Sequence, residues 1–251
     1  MKIIGITPAR LESTRLSEKA LVDIMGMPMV VHTCKRAQLA TTLDEVYLAT
    51  DSDRIRRAAE EHGISVIMTG THHTTGTDRL AEAIDQVESD IVVNIQGDEP
   101  LLNPDHIDRI VTAMTDDTSV KVALGVTPCT SKNRASDIKA VLDLQGNVLY
   151  CSRTDLPSDH RTPVDTILKL CFMVAFRTPF LRQFASWSPT PLERIEYNEY
   201  LRILEHGEKI RAVHLENAKA SVDTIEDLEC ARTLMATDPL RHTYVTRETC
   251  K

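Results

Sequence analysis

DIVVNIQGDEP, residues 90 to 100, carries the reading of the fold. Its first half, Ile91-Val92-Val93-Asn94-Ile95, is nearly continuous apolar. A strand has this composition when both faces are covered, as in a parallel sheet packed between helices. Its second half turns at Gly97 and stops at Pro100, with Asp98 and Glu99 between. A buried strand ending in a rigid acidic turn can present a carboxylate to a hard divalent cation. A plain turn followed by a helix cap has the same residues, and the segment alone leaves both readings open.

Outward from this strand the pattern alternates. KIIGIT (2–7), EVYLATD (45–51) and ISVIMT (64–69) read as strands. PMVVHTCKRAQLA (28–40), SDRIRRAAEEHG (52–63), TDRLAEAIDQV (77–87) and PDHIDRIVTAMT (104–115) read as helices. Ser52 is a candidate N-cap, Gly63 a stop, and Pro28 and Pro104 sit at first turns. Strands alternating with helices of about ten residues predict βαβ units. The expected fold is α/β, with a mostly parallel central sheet, flanking helices and a Rossmann-like ligand edge. Such sheets bind ligands beyond the carboxyl ends of their strands. Arg10, Asp51 and Asp98 all follow strands at that end.

The pattern changes after residue 118. VKVALGVTPC, IKAVLDLQGNVLYCSR and KLCFMVAFR read as strands, with a hairpin turn at Gln145-Gly146-Asn147. This predicts a β-rich part over about 119–190 within one domain spanning 1–251, suited to an oligomer surface. Helical signal returns at PLERIEYNEYLRILEHG (191–207), and KIRAVHL (209–215) reads as a strand. VDTIEDLECARTLMA (222–236) starts a last helix, with Asp223 or Thr224 near its cap. The polar tail, about 238–251, reads as loose.

The chain has 251 residues, 42% of them hydrophobic, which is enough for a sizeable core. A net charge of −8 argues against a general nucleic-acid or membrane-surface partner. No stretch reaches the roughly 18 apolar residues of a membrane helix, and the N-terminus lacks a signal-peptide pattern. The six cysteines are scattered without CxxC spacing. They read as reduced core thiols of a cytoplasmic protein, not as a disulfide framework or a zinc site.

Against this acidic background stands PARLESTRLSEKAL, residues 8 to 21. Arg10, Arg15 and Lys19 lie within ten positions, with Ser13 and Thr14 between. Close cations repel one another unless an anion sits among them. Arginine offers a planar fork for phosphate oxygens, and lysine a movable point charge. This is the chemistry of a polyphosphate cradle without Walker glycines; a solvated charged loop has the same composition. TGTDRL (75–80) has small residues that let backbone approach a flat base, or it is simply a capped helix start. VDT (222–224) adds a carboxylate before a helix, as a metal ligand or an ordinary N-cap. Taken together, the two acids and the cationic loop fit a metal–nucleoside triphosphate site.

The motifs PARxxSTRLxxKxL, ATDxxRI, MTxxxHxxGTDRLAEA, IVVNIQGDEP, LYCSRxxLP, TPLExIExxEYLRIL and VDTxEDLE resemble those of the 3-deoxy-manno-octulosonate cytidylyltransferases, or CMP-Kdo synthetases. The resemblance runs from residue 2 to about 235. It implies a nucleotide-diphospho-sugar transferase fold. It also implies transfer of CMP from CTP to a sugar acid, with Mg²⁺ as cofactor and pyrophosphate released. By position, Arg10, Ser13, Arg15 and Lys19 would hold the triphosphate, with Asp98 beside it. Thr75, Gly76 and Thr77 would lie against cytosine or ribose. Asp98 and Asp223 would carry the metal, and Gln96 and Arg153 would face the acceptor. Lys19, Arg15 and Asp98 are the expected catalytic set, with Lys19 the main electrostatic stabiliser. Family members are typically cytoplasmic homodimers. His72 and His73 read as loop residues near the nucleotide, without a proton-transfer role.

The sequence also departs from the family pattern. Ser17-Glu18-Lys19-Ala20 replaces a Pro-Gly-Lys-Pro run and puts an acid beside the expected phosphate site. ILKLCFMVAFR (167–177) replaces a strand close to H-x-G-I-Y-x-Y-R. Leu170 and Val174 stand for the His and first Tyr, Phe172 for the Gly and Phe176 for the second Tyr. Asn217-Ala218-Lys219-Ala220-Ser221 replaces a glycine-rich segment. Kdo is the expected acceptor because the overall resemblance is close, and these departures make 8-amino-Kdo or a small phosphonate its rivals. A non-catalytic nucleotide-binding paralogue is the alternative of another class.

Overall fold

The structure is a computed structural model that describes residues 1–12, 16–218 and 221–245. In chain order the elements begin with β1 (Ile3–Ala9), β2 (Asp23–Ile24), β3 (Met27–Pro28) and α1 (Met29–Ala37). Next come β4 (Glu45–Thr50), α2 (Asp53–Glu60), β5 (Ser65–Met68), α3 (Gly76–Ala83), β6 (Ile91–Asn94) and α4 (Pro104–Thr115). The β-rich stretch holds β7 (Val122–Cys129), β8 (Lys139–Leu142), β9 (Val148–Ser152) and β10 (Ile167–Arg177). It is followed by α5 (Thr178–Ser186), α6 (Pro191–Glu196), α7 (Tyr200–Glu205), β11 (Arg211–His214), α8 (Ile225–Ala236) and α9 (Arg241–Tyr244). These elements fall into two compact units, Met1–Asp108 with Lys219–Lys251, and Arg109–Ala218.

The first unit holds a wholly parallel sheet in the order β6-β1-β4-β5. All four residues of β6 are buried, as its apolar run requires. The helix ends follow the local chemistry. Ser52 Oγ accepts from the Ile55 N–H and starts α2, and Gly63 leaves that helix at φ +70°. Thr75 and Asp78 form a capping box on α3, and Thr224 and Asp227 form one on α8. The last cap settles the choice between Asp223 and Thr224. Thr224 does the capping, which leaves the Asp223 side chain for other partners. From the tail region, Asp238 accepts from the buried Arg36 side chain, and the Tyr244 hydroxyl reaches His32 Nδ1 at 3.0 Å.

In the second unit β10 lies antiparallel to β7 and β8, β8 and β9 form the hairpin around Gly146, and β11 runs parallel to β7. The register of β10 slips between Cys171 and Val174, so Phe172 and Met173 form a bulge. The helical signal over 191–207 resolves into two short helices. Tyr197 takes the left-handed conformation, at φ +49°, and ends α6. Arg202 Nε then donates to Glu193 Oε2 at 2.7 Å, and Nη2 meets Oε1, which folds α7 back on α6. Both residues are buried, so the pair is sheltered from water. Among the described residues no helix is long and apolar enough to cross a membrane.

Candidate active site

Three segments far apart in sequence meet in the first unit over one apolar cluster. Ile24, Met29, Val222, Leu228, Ala231 and Met235 are its buried members, and Leu16, Val22 and Leu101 pack against it. Fully burying side chains of this size contributes about 1.5–3 kcal/mol each. That energy draws the turn at Lys19, the loop after β6 and the start of α8 together. The Val222 N–H also donates to the Asp98 carbonyl at 2.9 Å, fixing the loop against the helix start.

Lys19 stands at the meeting point. Its Nζ donates to Asp98 Oδ2 at 2.6 Å and to Asp223 Oδ1 at 2.9 Å. All three side chains are partly buried. Burial alone would lower the pKa of the Lys19 ammonium. The two carboxylates outweigh it and hold that pKa above the ordinary lysine value. The preceding residue, Glu18, adopts the left-handed conformation at φ +50°. Its carboxylate forms a two-point pair with Arg54 on α2, so it is neutralised outside the Lys19 cluster.

Glu99 completes this corner. Burial pushes its carboxyl up to about 8, and the charge of Asp98 adds to the rise. Both effects favour its protonated form. Of the two adjacent acids, Asp98 is the one that already holds a cation. The Gln96 carbonyl accepts from the Glu99 N–H at 3.3 Å and shapes the turn. A Cβ on Gly97 would stand 3.3 Å from the Pro8 carbonyl oxygen, so the loop runs close against the end of β1. Arg10 is exposed just beyond that end. Ser13 and Arg15 lie outside the described residues.

The start of α3 lies on the same edge of the sheet. Thr75 caps the helix, and a Cβ on Gly76 would stand 3.2 Å from Pro8 Cγ. The Thr77 side chain points inward and accepts from Asn94 Nδ2 at 3.2 Å. Thr77 is only 1% exposed, so its side chain serves the packing of the helix start rather than an open face. Arg79 is buried and clamps the turn before the helix. It donates to Asp51 Oδ2 at 2.8 Å and to Thr69 Oγ1 at 2.6 Å.

In the second unit Arg153 is held by its own chain. Its guanidinium donates to the carbonyls of Glu196, Ala135 and Tyr197 at 2.8, 2.8 and 3.1 Å. Its backbone N–H donates to Glu196 Oε2 at 2.9 Å. The Arg153 carbonyl accepts from Lys139 Nζ at 2.7 Å. Leu170, Val174 and Phe176 on β10 are core residues, at 4%, 0% and 0% exposure.

The family model described as Cytidylyltransferase matches residues 4–210. This chain belongs to the cytidylyltransferase family. It is 42% identical over 243 residues to the 3-deoxy-manno-octulosonate cytidylyltransferase of Geotalea uraniireducens, covering 91% of this chain and 97% of that one. The enzyme of the same description from Chlorobium phaeobacteroides is 37% identical, over 96% and 100% of the two chains. Among solved structures, CMP:2-keto-3-deoxy-manno-octonic acid synthetase complexed with CTP superposes with a TM-score of 0.91 at 34% identity. That match covers 94% of this chain and 99% of the other. The chain is thus a nucleotidyltransferase, and the α/β class expected from its strand–helix alternation is the observed one.

Of the residues singled out in the sequence, the structure of this cytidylyltransferase joins Lys19, Asp98 and Asp223 in one contact set. It places Thr75, Gly76 and Gln96 on the strand-end edge of the same unit. Sequence reasoning passed over Glu99, Arg79 and Lys139. Glu99 is adjacent to Asp98 in QGDEP, and two neighbouring acids after a buried strand are a signal that one of them is neutral. Arg79 had a weaker signal, a charged residue on the inner face of α3. Lys139 gives none, because a lysine in a hairpin strand reads as solvent-facing.

Proposed function

We propose that this chain transfers the cytidylyl group of CTP to 3-deoxy-manno-octulosonate, releasing pyrophosphate. The observation that carries the reading is the convergence of Asp98 and Asp223 on one cationic atom, Lys19 Nζ. An acid pair able to hold a cation there suits a triphosphate that arrives with its metal. In the reaction the acceptor hydroxyl oxygen bonds to the α-phosphorus, and the bond to the leaving pyrophosphate breaks. The hydroxyl proton passes to solvent.

Lys19 is the main electrostatic stabiliser in this scheme. Once the triphosphate binds, its ammonium leaves the carboxylates for the phosphate oxygens, where negative charge grows. Arg10 and Arg15 share that charge and set the register of the chain of phosphates. Mg²⁺ is the metal we assign to Asp98 and Asp223. The donor set fits, since both ligands are carboxylate oxygens. When bound, such an ion neutralises phosphate charge as a Lewis acid.

A different acceptor is the second reading, and β10 motivates it. Leu170 and Val174 stand where the family pattern has polar residues. Their side chains are buried core, so the change alone does not line an acceptor pocket with apolar groups. Arg153 reaches an acid only by leaving carbonyl partners, and we assign it a positioning role until an acceptor is bound. The same reading makes the protein a cytoplasmic homodimer.

The deciding experiment is pyrophosphate release from CTP and Mg²⁺ with Kdo, 8-amino-Kdo and a small phosphonate. Turnover with Kdo supports the proposal. Turnover with only one of the others moves the acceptor. CTP retained without release under all three would make the chain a nucleotide-binding paralogue.

A further inference from the structure

A second set of ligating groups shares no residue with the Lys19 corner. His72, His73 and Glu82 place one donor atom each within 4.8 Å of one another. Glu82 is on α3, and the two histidines are in the turn that precedes it. The two imidazole rings are 4.2 Å apart between centroids, at 40°. His73 Nε2 directly contacts Glu82 Oε2. The His73 side chain is only 7% exposed, while His72 lies at the surface.

The surroundings hold these groups in place. The Gly70 N–H donates to both Glu82 oxygens, at 3.1 and 3.0 Å. That is the kind of outer hydrogen bond that orients a ligating carboxylate. It also holds the Glu82 carboxyl below the usual range, with His73 adding to the effect. A Cβ on Gly70 would stand 2.5 Å from His72 Nδ1, so glycine is what lets this ring fold over the turn. A plain staple of turn to helix needs only His73 and Glu82. It gives no reason for a second imidazole packed beside the first.

We propose that His72, His73 and Glu82 form a site for one divalent transition-metal ion of the zinc class, with water completing its coordination. Two imidazoles and a carboxylate suit zinc and discriminate against magnesium, which prefers oxygen. Zinc–ligand bonds of about 2.0–2.2 Å put neighbouring tetrahedral donors roughly 3.3 Å apart. From donor atoms within 4.8 Å of one another, the cluster needs only a small closure to reach that spacing. The metal displaces the hydrogen bond between His73 and Glu82, and any proton on the ligating nitrogens goes to solvent. The site shares no residue with the Asp98–Asp223 pair and stands whether or not the proposed reaction is correct.

The test is a calorimetric Zn²⁺ titration of the untagged full chain under saturating Mg²⁺, paired with the visible spectrum of the Co²⁺ form. We expect one ion per chain and a tetrahedral Co²⁺ band without thiolate charge transfer. His72→Ala, at an exposed position, and Glu82→Gln should each weaken binding at least about tenfold with the far-UV spectrum unchanged. No stoichiometric uptake, a thiolate band, or unchanged affinity in both variants would overturn the site.

Discussion

Lys19 and Lys139 are both drawn out of water, yet their partners differ in kind. Lys19, in the parallel unit, donates to the carboxylates of Asp98 and Asp223. Lys139, in the β-rich unit, donates to the carbonyls of Arg134, Asp137 and Arg153 at 2.7, 3.0 and 2.7 Å and pairs with Asp155 at 3.2 Å. Carboxylates can exchange one cation for another, so Lys19 is free to move when a metal and an anion arrive together. Backbone carbonyls have no such exchange open to them, because leaving them bare and buried is costly. One lysine is therefore equipped for chemistry and the other for holding the loops at 134–137 and 153–155.

The contrast can be broken by mutation, beginning with the larger effect. Lys139→Met strands its carbonyl partners, and we expect a stability loss of about 3 kcal/mol or more in urea unfolding. A loss indistinguishable from an average surface change would remove the structural role. Lys19→Ala should lower the unfolding midpoint less than Lys139→Met does and lower turnover by about 10²–10³, roughly 3–4 kcal/mol in the barrier. Steady-state kinetics separate this from simple binding loss. A raised KM for CTP with intact turnover would deny Lys19 the stabilising role.

The pH dependence sharpens the first unit's side of the comparison. His32 on α1 is fully buried, with Nε2 2.8 Å from the Ile24 carbonyl oxygen. Burial lowers its pKa from 6.5 to about 4, opposed by the hydrogen bond to the Ile24 carbonyl and helped by Arg241 and Arg36. Its folded pKa lies below its unfolded one, so the neutral ring stabilises the fold above about pH 6.5. That contribution, about 3 kcal/mol, fades as pH falls from 6.5 towards 4. Unfolding of the wild type and His32→Gln across that window measures the difference in slope. Equal slopes would mean that His32 does not carry the loss. The smallest effect belongs to Glu18→Gln. The Glu18–Arg54 pair is solvent-exposed and screened by salt. We expect no resolvable change in Tm and less than about a threefold change in KM for CTP. A large fall in KM would place the Glu18 charge inside the phosphate site.

Much of the first unit was legible in the sequence because its signals are local. The run at 91–95, the caps at Ser52 and Thr75 and the stop at Gly63 each act within a turn or a strand. The helical signal at 191–207 misled for the opposite reason. Composition favoured one helix, but the left-handed Tyr197 and the buried Glu193–Arg202 pair made two. Leu170 and Val174 were legible as a departure from the family pattern, but not as core residues. Burial depends on which elements pack above a strand.

By itself the sequence determined the α/β alternation, the acidic turn at Gln96–Pro100 and the motifs that mark a cytidylyltransferase. Only the tertiary structure decided which acids share one cation, that Thr224 caps α8 in place of Asp223, and that Glu18 faces Arg54. It also set Glu99 apart from Asp98 by burial. Periodicity and capping are properties of neighbours in the chain. Charge pairing and pKa depend on distances between residues 79 and 204 positions apart, and the apolar cluster beneath Lys19 is what brings them together.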